Sequence, residues 1–421
     1  MYERAVKVIP GGVTRPFRFF DPHPFYAKRA YGSKVVDFED RVYTDYWQAH
    51  GALLLGHMHP SIVKATKEQL ELGFHLGVCN EWEVRLAEQV TRLVPSVEMM
   101  TFNNSGTEAN MHAIKLARAY TKRDKVAKFE GHFHGILEPL FFGVSWPADQ
   151  PESAGHDALS SKNTVVLPFN DPEAVYSIIR KEELACVIIE LVVGGATVPA
   201  DNDFVKGLRE ICDDTGALLI FDEVITGFRI SRGGAQQTSG VTPDMTTFGK
   251  AIGGGEFPVG AVGGRSEIMS LMNHQKYPKR SEHVVQGGTY VGNPLVMRAG
   301  YEATKVYEEG SLHTHINSLA EKLLKGLRDA VQDTRASAHV TGLGSMAKVH
   351  FLKPGTVGRD LRSLVTNADL KAENRYFHHL ISNGIFAMTA SEVHQYVSLP
   401  HTEEEIEKLI ATTEDFLKSW R

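Results

Sequence analysis

The chain has 421 residues, of which 42% are hydrophobic and 23% are charged, and its net charge is −6. This length exceeds what one small core needs, so we expect a large domain with a smaller one attached. The mild acidity argues against a nucleic-acid partner. The three cysteines are scattered and the chain start lacks a long apolar stretch, which favours a cytoplasmic protein without a signal peptide or membrane span.

The predicted elements begin with an N-terminal segment, 1–50, whose residues at 35–38 and 42–45 predict a hairpin. The middle segment, 51–304, differs because strands alternate with helices from about residue 95 to 265. This alternation predicts an α/β domain with a mainly parallel sheet that helices cover on both faces, and with its ligand at the carboxyl ends of the strands. The clearest signals lie at 126–129, 165–167, 172–180, 186–189 and 203–213.

The C-terminal segment, 305–421, changes character again. Apolar residues at helical spacing over 316–327 predict a helix, and 347–351 has the pattern of a strand. Thr402 and Glu405 form the sequence pattern of a capping box at the start of the final helix. We expect segments 1–50 and 305–421 to join in one small α+β domain.

Two functional side chains stand at the ends of predicted strands. Asp222 follows the apolar run 218–221, and Lys250 lies among apolar and glycine residues that predict a dry setting. This pair suits a pyridoxal phosphate (PLP) enzyme, because the amine can form a Schiff base and the carboxylate can keep the pyridine nitrogen protonated. Asp222 has two alternatives, a helix cap and a magnesium ligand. A magnesium nucleotide site is disfavoured because the sequence lacks a G-x-x-x-x-G-K-[ST] loop.

A second candidate site is the start of the helix predicted to run from about residue 106 to 120. Ser105, Gly106 and Thr107 combine free N–H groups with hydroxyls, and helix N-termini of this kind bind phosphate. Ser105 also forms the pattern of a capping box with Glu108, so its side chain can serve the helix instead. Taken together with Asp222, the segment favours phosphate binding.

The segment 131–135 holds two histidines around Phe133. His132 and His134 invite a metal hypothesis, but the sequence suggests no third ligand, so we expect no metal site. Phe133 between glycines is suited to covering a flat ring. The run 342–347 matches the dinucleotide fingerprint G-x-G-x-x-[GA], yet a predicted strand follows it where a helix is required, so we interpret it as a chance match.

Seven segments in the same order together resemble the class III, fold-type I, PLP-dependent aminotransferases, above all the group around glutamate-1-semialdehyde aminomutase. They are 9–13, 56–60, 104–109, 129–135, 221–227, 248–255 and 288–294. The C-terminal third is also similar to the β-amino-acid (β-phenylalanine) aminotransferases. The resemblance implies a large PLP-binding domain with a mainly parallel seven-stranded sheet between helices, and a small α+β domain from the two chain ends.

The resemblance implies a role for each matching residue around the ring. Lys250 carries the cofactor as a Schiff base, and Asp222 pairs with the pyridinium nitrogen. Val224 packs on one ring face and Phe133 on the other, where tyrosine is more usual in the family. His134 also belongs to a matching cofactor segment.

Further implied contacts reach the phosphate and the neighbouring subunit. Residues 105–107 hold the phosphate, together with Thr289 of the partner subunit, which implies a homodimer with shared active sites. Glu190 matches an active-site glutamate, although Leu191 follows it where the family has proline.

The implied activity is transfer of an amino group between an amine or β-amino acid and a keto acid, through pyridoxamine phosphate. Glutamate-1-semialdehyde 2,1-aminomutase is one alternative. A catalytically silent PLP-binding protein is another, against which Lys250 and Asp222 both stand. A racemase or epimerase on the same fold is a further alternative.

Three residues are candidates for substrate binding. Arg18 matches the position that binds the substrate carboxylate in the aminomutase, and Arg15 matches the arginine of the β-phenylalanine enzymes. His50 stands where the aminomutase pocket has tryptophan. Departures such as His50 and Leu191 favour an intermolecular transaminase over the aminomutase, whose reaction needs one small intermediate held in a closed pocket.

Overall fold

A computed structural model describes residues 1–358, 360–387 and 393–420. The strands are β1 (Ala27–Tyr31), β2 (Lys34–Asp37), β3 (Val42–Asp45), β4 (Met99–Asn103), β5 (Lys125–Phe129), β6 (Thr164–Leu167), β7 (Leu184–Ile189), β8 (Leu218–Glu223), β9 (Met245–Gly249), β10 (Gly260–Gly264), β11 (Ala338–Leu343), β12 (Met346–Phe351), β13 (Ile385–Phe386) and β14 (His394–Tyr396).

The α-helices are α1 (Tyr2–Ala5), α2 (Gln48–Gly51), α3 (Pro60–Leu72), α4 (Glu81–Leu93), α5 (Gly106–Thr121), α6 (Pro172–Ile179), α7 (Asn202–Thr215), α8 (Ala235–Ser239), α9 (Ser266–Met269), α10 (Pro294–Glu308), α11 (Ser311–Thr334), α12 (Leu361–Thr366), α13 (Leu370–Ser382) and α14 (Glu403–Ser419). Short 3-10 turns lie at Pro10–Gly12, Pro16–Arg18, Lys250–Gly253 and Ser270–Met272. The chain divides into two compact units, Met1–His59 with Thr314–Arg421, and Pro60–His313.

The unit Pro60–His313 is built on a seven-stranded sheet with the order β4-β10-β9-β8-β7-β5-β6. Strands β5 to β9 pair in parallel with one another, and β10 runs antiparallel to both β4 and β9. The predicted α/β fold with a mainly parallel sheet is confirmed. Every residue of β7 and β8 is buried, which explains why β7 is an unbroken apolar run in the sequence and why β8 is one up to its last two residues.

Helices cover this sheet and align the strand ends. Helix α5 packs against β9 and β10, and α7 packs against β8. Apolar side chains from α5 and from five strands, such as Leu116, Ile188 and Ile220, form one continuous buried core. Because β7, β8 and β9 are parallel neighbours, their carboxyl ends lie at one edge of the sheet.

In the other unit, the predicted hairpin is observed as β2 paired with β3, with β1 and β13 extending the same sheet. A second sheet has the order β11-β12-β14. The rings of Phe351, Tyr376 and Phe416 pack together and join β12 to helices α13 and α14. The capping box of Thr402 and Glu405 is confirmed at the start of α14.

The turn α2 in this unit is wound in the left-handed sense. Its residues Gln48, Ala49, His50 and Gly51 have φ values of 46°, 50°, 65° and 71°. Left-handed turns cost about 1–2 kcal/mol for each residue other than glycine, so surrounding contacts must hold this one. Asp45 supplies them: its carboxylate accepts the N–H groups of residues 47 and 48 at 2.8 and 3.0 Å, and its carbonyl accepts Gln48 Nε2 at 2.7 Å. Strain of this kind concentrates at functional sites, which is consistent with the candidate role of His50.

Over the residues that the structure describes, each helix is too short or too polar to span a lipid bilayer.

Candidate active site

The centre of the candidate site is the buried carboxylate of Asp222, near the carboxyl end of β8. One oxygen, Oδ2, accepts hydrogen bonds from His134 Nδ1 at 2.7 Å and from Asn110 Nδ2 at 2.8 Å. The other oxygen, Oδ1, accepts the backbone N–H of Val224 at 3.0 Å. A carboxylate has about four acceptor positions, so three of them are used here and one is left for a further N–H donor.

Asn110 lies on α5 and sets the geometry of this carboxylate. Its Oδ1 accepts a hydrogen bond from Thr247 Oγ1 at 2.7 Å, and its Nδ2 also donates to the carbonyl of His134 at 3.1 Å. These contacts fix which end of the amide faces Asp222. Sequence reasoning did not identify Asn110 or Thr247. The available signal was weak, since Asn110 stands between Ala109 and Met111 on α5, and Thr247 between Thr246 and Phe248 on the fully buried strand β9.

His134 is fully buried beside Asp222. Because a carboxylate only accepts hydrogen bonds, His134 Nδ1 carries the proton in this pair. Burial lowers the pKa of His134, while its hydrogen bond to Asp222 acts in the opposite direction. The imidazole is therefore a neutral donor at neutral pH, and the negative charge of Asp222 remains available to a cation.

Lys250 lies just beyond the end of β9, the strand that pairs with β8. Asp222 is opposite Thr247 in this pairing, three residues before Lys250. The backbone of Lys250 has φ 50°, which is uncommon for a residue other than glycine, and the residue starts a short 3-10 turn. Such strain is maintained when the surroundings determine the position of a side chain, as at active sites.

Glu190 follows the end of the third neighbouring strand, β7. Its two carboxyl oxygens accept the backbone N–H groups of Phe133 at 2.6 Å and Gly194 at 2.9 Å. Burial raises the pKa of Glu190 to about 8, the charge of Asp222 adds to this effect, and Lys250 opposes it. Glu190, Asp222 and Lys250 are thus within electrostatic reach of one another.

The start of α5 brings backbone groups unusually close together. A side chain at Gly260 would place its Cβ 2.0 Å from the carbonyl oxygen of Ser105, and one at Gly135 would lie 2.2 Å from Thr107 Oγ1. Ser105 Oγ accepts the N–H of Glu108 at 3.2 Å and caps the helix. The Glu108 carboxylate, however, accepts the N–H of Asn104, so only half of the predicted capping box forms. Glycines keep this helix N-terminus, whose first N–H groups have no partner within the helix, open to a phosphate.

Val224 packs over the same region. A Cβ at Gly106 would lie 2.9 Å from both methyl groups of Val224, and a Cβ at Gly249 would lie 3.1 Å from one of them. Phe133, the other predicted ring contact, is 41% exposed and meets Phe141 edge to face at 6.1 Å. The stacking of Val224 and Phe133 on a ring stays a prediction.

These residues fit the cofactor that the sequence predicts. Asp222 has an acceptor position for a ring N–H, Lys250 supplies an amine at the same sheet edge, and α5 points its N-terminus towards the same side. The individual roles of these residues remain predictions.

The remaining predicted residues belong to other segments of the chain. Thr289 is exposed in a turn beside Gly288, where an added Cβ would lie 3.2 Å from Nδ2 of Asn104. Arg15, Arg18 and His50 belong to the compact unit formed by the chain ends. Arg18 is exposed. The contribution of these three residues to substrate binding stays a prediction.

The raised pKa of Glu190 predicts a pH-dependent stability. The pKa of this carboxyl group is about 8 in the folded protein, against a usual value of 4.5. Between these two pH values the folded state therefore keeps a proton that the unfolded state has lost. Stability of the apoprotein relative to Glu190→Gln should therefore be highest below about pH 4.5 and fall as the pH rises to about 8, by at least about 1.4 kcal/mol, the energy of one pKa unit.

Urea unfolding of both proteins across this pH range measures the difference. The exposed glutamate Glu183 provides the control, since Glu183→Gln should follow the wild-type profile. Parallel profiles for wild type and Glu190→Gln would contradict the prediction.

Comparison with known proteins gives a consistent assignment. The model of the family described as aminotransferase class-III matches residues 20–417. The chain is 40% identical over 423 residues to glutamate-1-semialdehyde 2,1-aminomutase of Archaeoglobus fulgidus, a match that covers 99% of this chain and 98% of that protein.

Two solved structures are similar along the whole chain. An omega-transaminase from Sphaerobacter thermophilus matches with a TM-score of 0.91 and 33% identity, over 99% of this chain and 96% of that one. A transaminase with PLP bound matches with a TM-score of 0.90 and 31% identity, again over 99% and 96%. The fold is therefore fold-type I, and the chain belongs to the class III aminotransferase family.

Proposed function

We propose that this chain moves an amino group to or within a small molecule. Its cofactor is PLP, as membership of the class III aminotransferases and the likeness to a PLP-bound transaminase indicate. When bound, PLP supplies the electron sink that stabilises a carbanion beside the substrate nitrogen. The observation that carries the proposal is the buried Asp222 carboxylate, held by three donors, on the strand next to Lys250.

Each residue of the site has a task that its contacts support. Asp222 holds the ring nitrogen protonated, because its charge and its remaining acceptor position face a dry interior. Lys250 would hold the cofactor through Nζ. Once a substrate amine had replaced it, the freed Nζ would remove the proton from the substrate carbon beside the nitrogen and deliver it across that nitrogen, two atoms away. The N-terminus of α5 binds the phosphate.

Two reactions use these parts. The aminomutase returns the amino group to a neighbouring carbon of the same molecule. Its support is the 40% identity over the whole chain to a curated aminomutase, which favours this alternative over the transaminase of the sequence analysis. The intermolecular transaminase is the second candidate, since the 33% identical structure is an omega-transaminase and His50 and Leu191 depart from the aminomutase pattern.

A second copy of this chain is the proposed macromolecular partner. Strand β4 is at an open edge of the sheet, beside a groove of about 760 Å³ whose lining includes Val84, Met99 and Gly288. Apolar side chains are exposed in the lining of this groove and in the segment 70–78 that precedes α4, and exposed apolar surface of this kind is typical of a protein interface. They are Leu70, Leu72, Phe74, Leu76, Val78, Val84 and Met99. Thr289 follows Gly288, so a subunit covering the groove would meet it.

A cytoplasmic location is proposed on the chemistry of the cysteines. Cys186 and Cys212 are buried free thiols, and burial raises the pKa of both, which keeps them inert. Such usage is typical of a reducing compartment. The small-molecule substrates of an aminotransferase fit that compartment.

The assignment of Lys250 predicts a covalent link. Borohydride should fix PLP to Lys250 in the purified holoenzyme, because the amine and the aldehyde are joined at rest. Peptide mass spectrometry locates the label, and Lys128, a buried lysine on β5, is the internal control that should stay unlabelled.

Asp222→Ala should retain some PLP and lose activity by at least about a hundredfold, since the ring nitrogen loses its counter-charge. Labelling elsewhere, or near-normal turnover of Asp222→Ala, would contradict these roles.

One assay separates the two reactions. Conversion of glutamate semialdehyde without any added acceptor identifies the aminomutase. A requirement for pyruvate or 2-oxoglutarate, with an amine or β-amino acid as donor, identifies the transaminase. Lys250→Ala is the control for both. A holoenzyme that binds PLP and turns over neither set would instead support the catalytically silent alternative.

The dimer has its own prediction. Leu72→Glu should convert a dimer into a monomer, because it places a charge in the exposed apolar surface. Light scattering measures the mass. The matched control is Leu159→Glu, a leucine of similar exposure outside that surface (74% against 70%). PLP occupancy should fall with dissociation if Thr289 of the partner subunit helps to hold the phosphate. A monomeric wild type, or a Leu72→Glu protein that stays dimeric, would disprove the proposed interface.

A further inference from the structure

Lys128 is a fully buried lysine near the end of β5 that none of the roles above uses. Its exposed fraction is 0%, whereas lysines are almost never fully buried without a partner. It lies between Ala127 and Phe129 on a strand flanked by β6 and β7. An unpaired ammonium in such a place would cost several kcal/mol, so its contacts must compensate.

The ammonium has a complete set of acceptors. Nζ donates to the backbone carbonyls of His132 at 2.9 Å, Leu140 at 3.1 Å and Phe142 at 2.7 Å. An ammonium group carries three N–H bonds, and all three are used. All three acceptors belong to one segment of chain, which we call the 131–143 loop. Its ends meet where the N–H of Gly131 donates to the carbonyl of Gly143 at 3.0 Å.

This loop supplies several contacts of the active site. His134 donates to Asp222, and the backbone N–H of Phe133 donates to Glu190. Gly135 lies against Thr107 at the start of α5. The carbonyl of His132, one acceptor of Lys128, therefore directly precedes these residues in the chain. The other two acceptors, the carbonyls of Leu140 and Phe142, lie on the returning limb of the loop.

We propose that Lys128 is a positioning residue, whose buried ammonium ties both limbs of the 131–143 loop to β5 and so holds Phe133 and His134 in register with Asp222. This inference rests on the proposed function, because it assigns Lys128 to the same cofactor site. It acts through the loop and does not touch the reacting atoms.

The charges around Lys128 make the tie sensitive to pH. Burial lowers the pKa of Lys128 to about 7, and Glu190 and Glu152 oppose this effect. The positive charge of Lys128 in turn contributes to the lowered pKa of His132 and His134. A neutral amine has only two N–H bonds, so deprotonation releases one of the three carbonyls.

The test compares Lys128→Met with Lys125→Met. Methionine has a similar length and no donors, and Lys125 lies on the same strand, exposed, in an ion pair with Glu182. In the holoenzyme, Lys128→Met should lower kcat by at least about tenfold, since small displacements of a positioned group have large effects on rate. KM should change less, and the circular dichroism of bound PLP should change shape. Lys125→Met should match wild type in all three.

A second measurement uses the apoenzyme. Hydrogen exchange of the amides in the 131–143 loop should be faster in Lys128→Met, with the amides of α5 unchanged. If Lys128→Met does not fold, wild type carries the test: protection of the loop relative to α5 should fall as the pH rises from about 6 to about 8.5, through the pKa of Lys128.

The outcomes are separable from those of the proposed function. A wild type that binds no PLP contradicts the proposed function, and loop protection in the apoenzyme still decides the role of Lys128. Unchanged kcat, dichroism and loop exchange in Lys128→Met would overturn the positioning role. So would equal protection of the loop at both ends of the pH range in wild type.

Discussion

The candidate active site depends on one buried carboxylate and the three donors that hold it. Removing the charge of Asp222 from water is expensive unless hydrogen bonds replace the lost hydration. His134, Asn110 and the backbone of Val224 supply them. Each donor comes from a different part of the chain, namely the 131–143 loop, helix α5 and the end of β8. The same bonds that stabilise the charge therefore fix three elements relative to one another, and these elements carry the remaining site residues.

Charge balance extends from this carboxylate through the surrounding interior. Two carboxyl groups, Asp222 and Glu190, lie near the two amines of Lys250 and Lys128. Burial raises the pKa of Glu190 to about 8 and lowers that of Lys128 to about 7, so both groups move towards their neutral forms. The interior thereby limits its net charge around the buried carboxylate of Asp222, which is the proposed partner of the cofactor's ring nitrogen.

Close approach of backbone is the second constraint. At Gly260 and Gly135 any side chain would collide with residues at the start of α5, and at Gly106 it would collide with Val224. In the unit formed by the chain ends, the left-handed turn at His50 depends on Asp45 in a similar way. In both units, strained or crowded backbone occurs beside residues with candidate functions, which is the pattern expected when position matters more than local stability.

The sequence by itself determined the alternation of strands and helices, the mainly parallel sheet, the hairpin, the final helix cap and the positions of Asp222 and Lys250 at strand ends. These follow from periodicity and capping, which are properties of neighbouring residues. Only the tertiary structure decided that Asn110 and Thr247 orient Asp222, that Glu108 bonds Asn104, and that the pKa of Glu190 rises. Such features depend on which distant segments meet and how much water they exclude, and no local pattern encodes either.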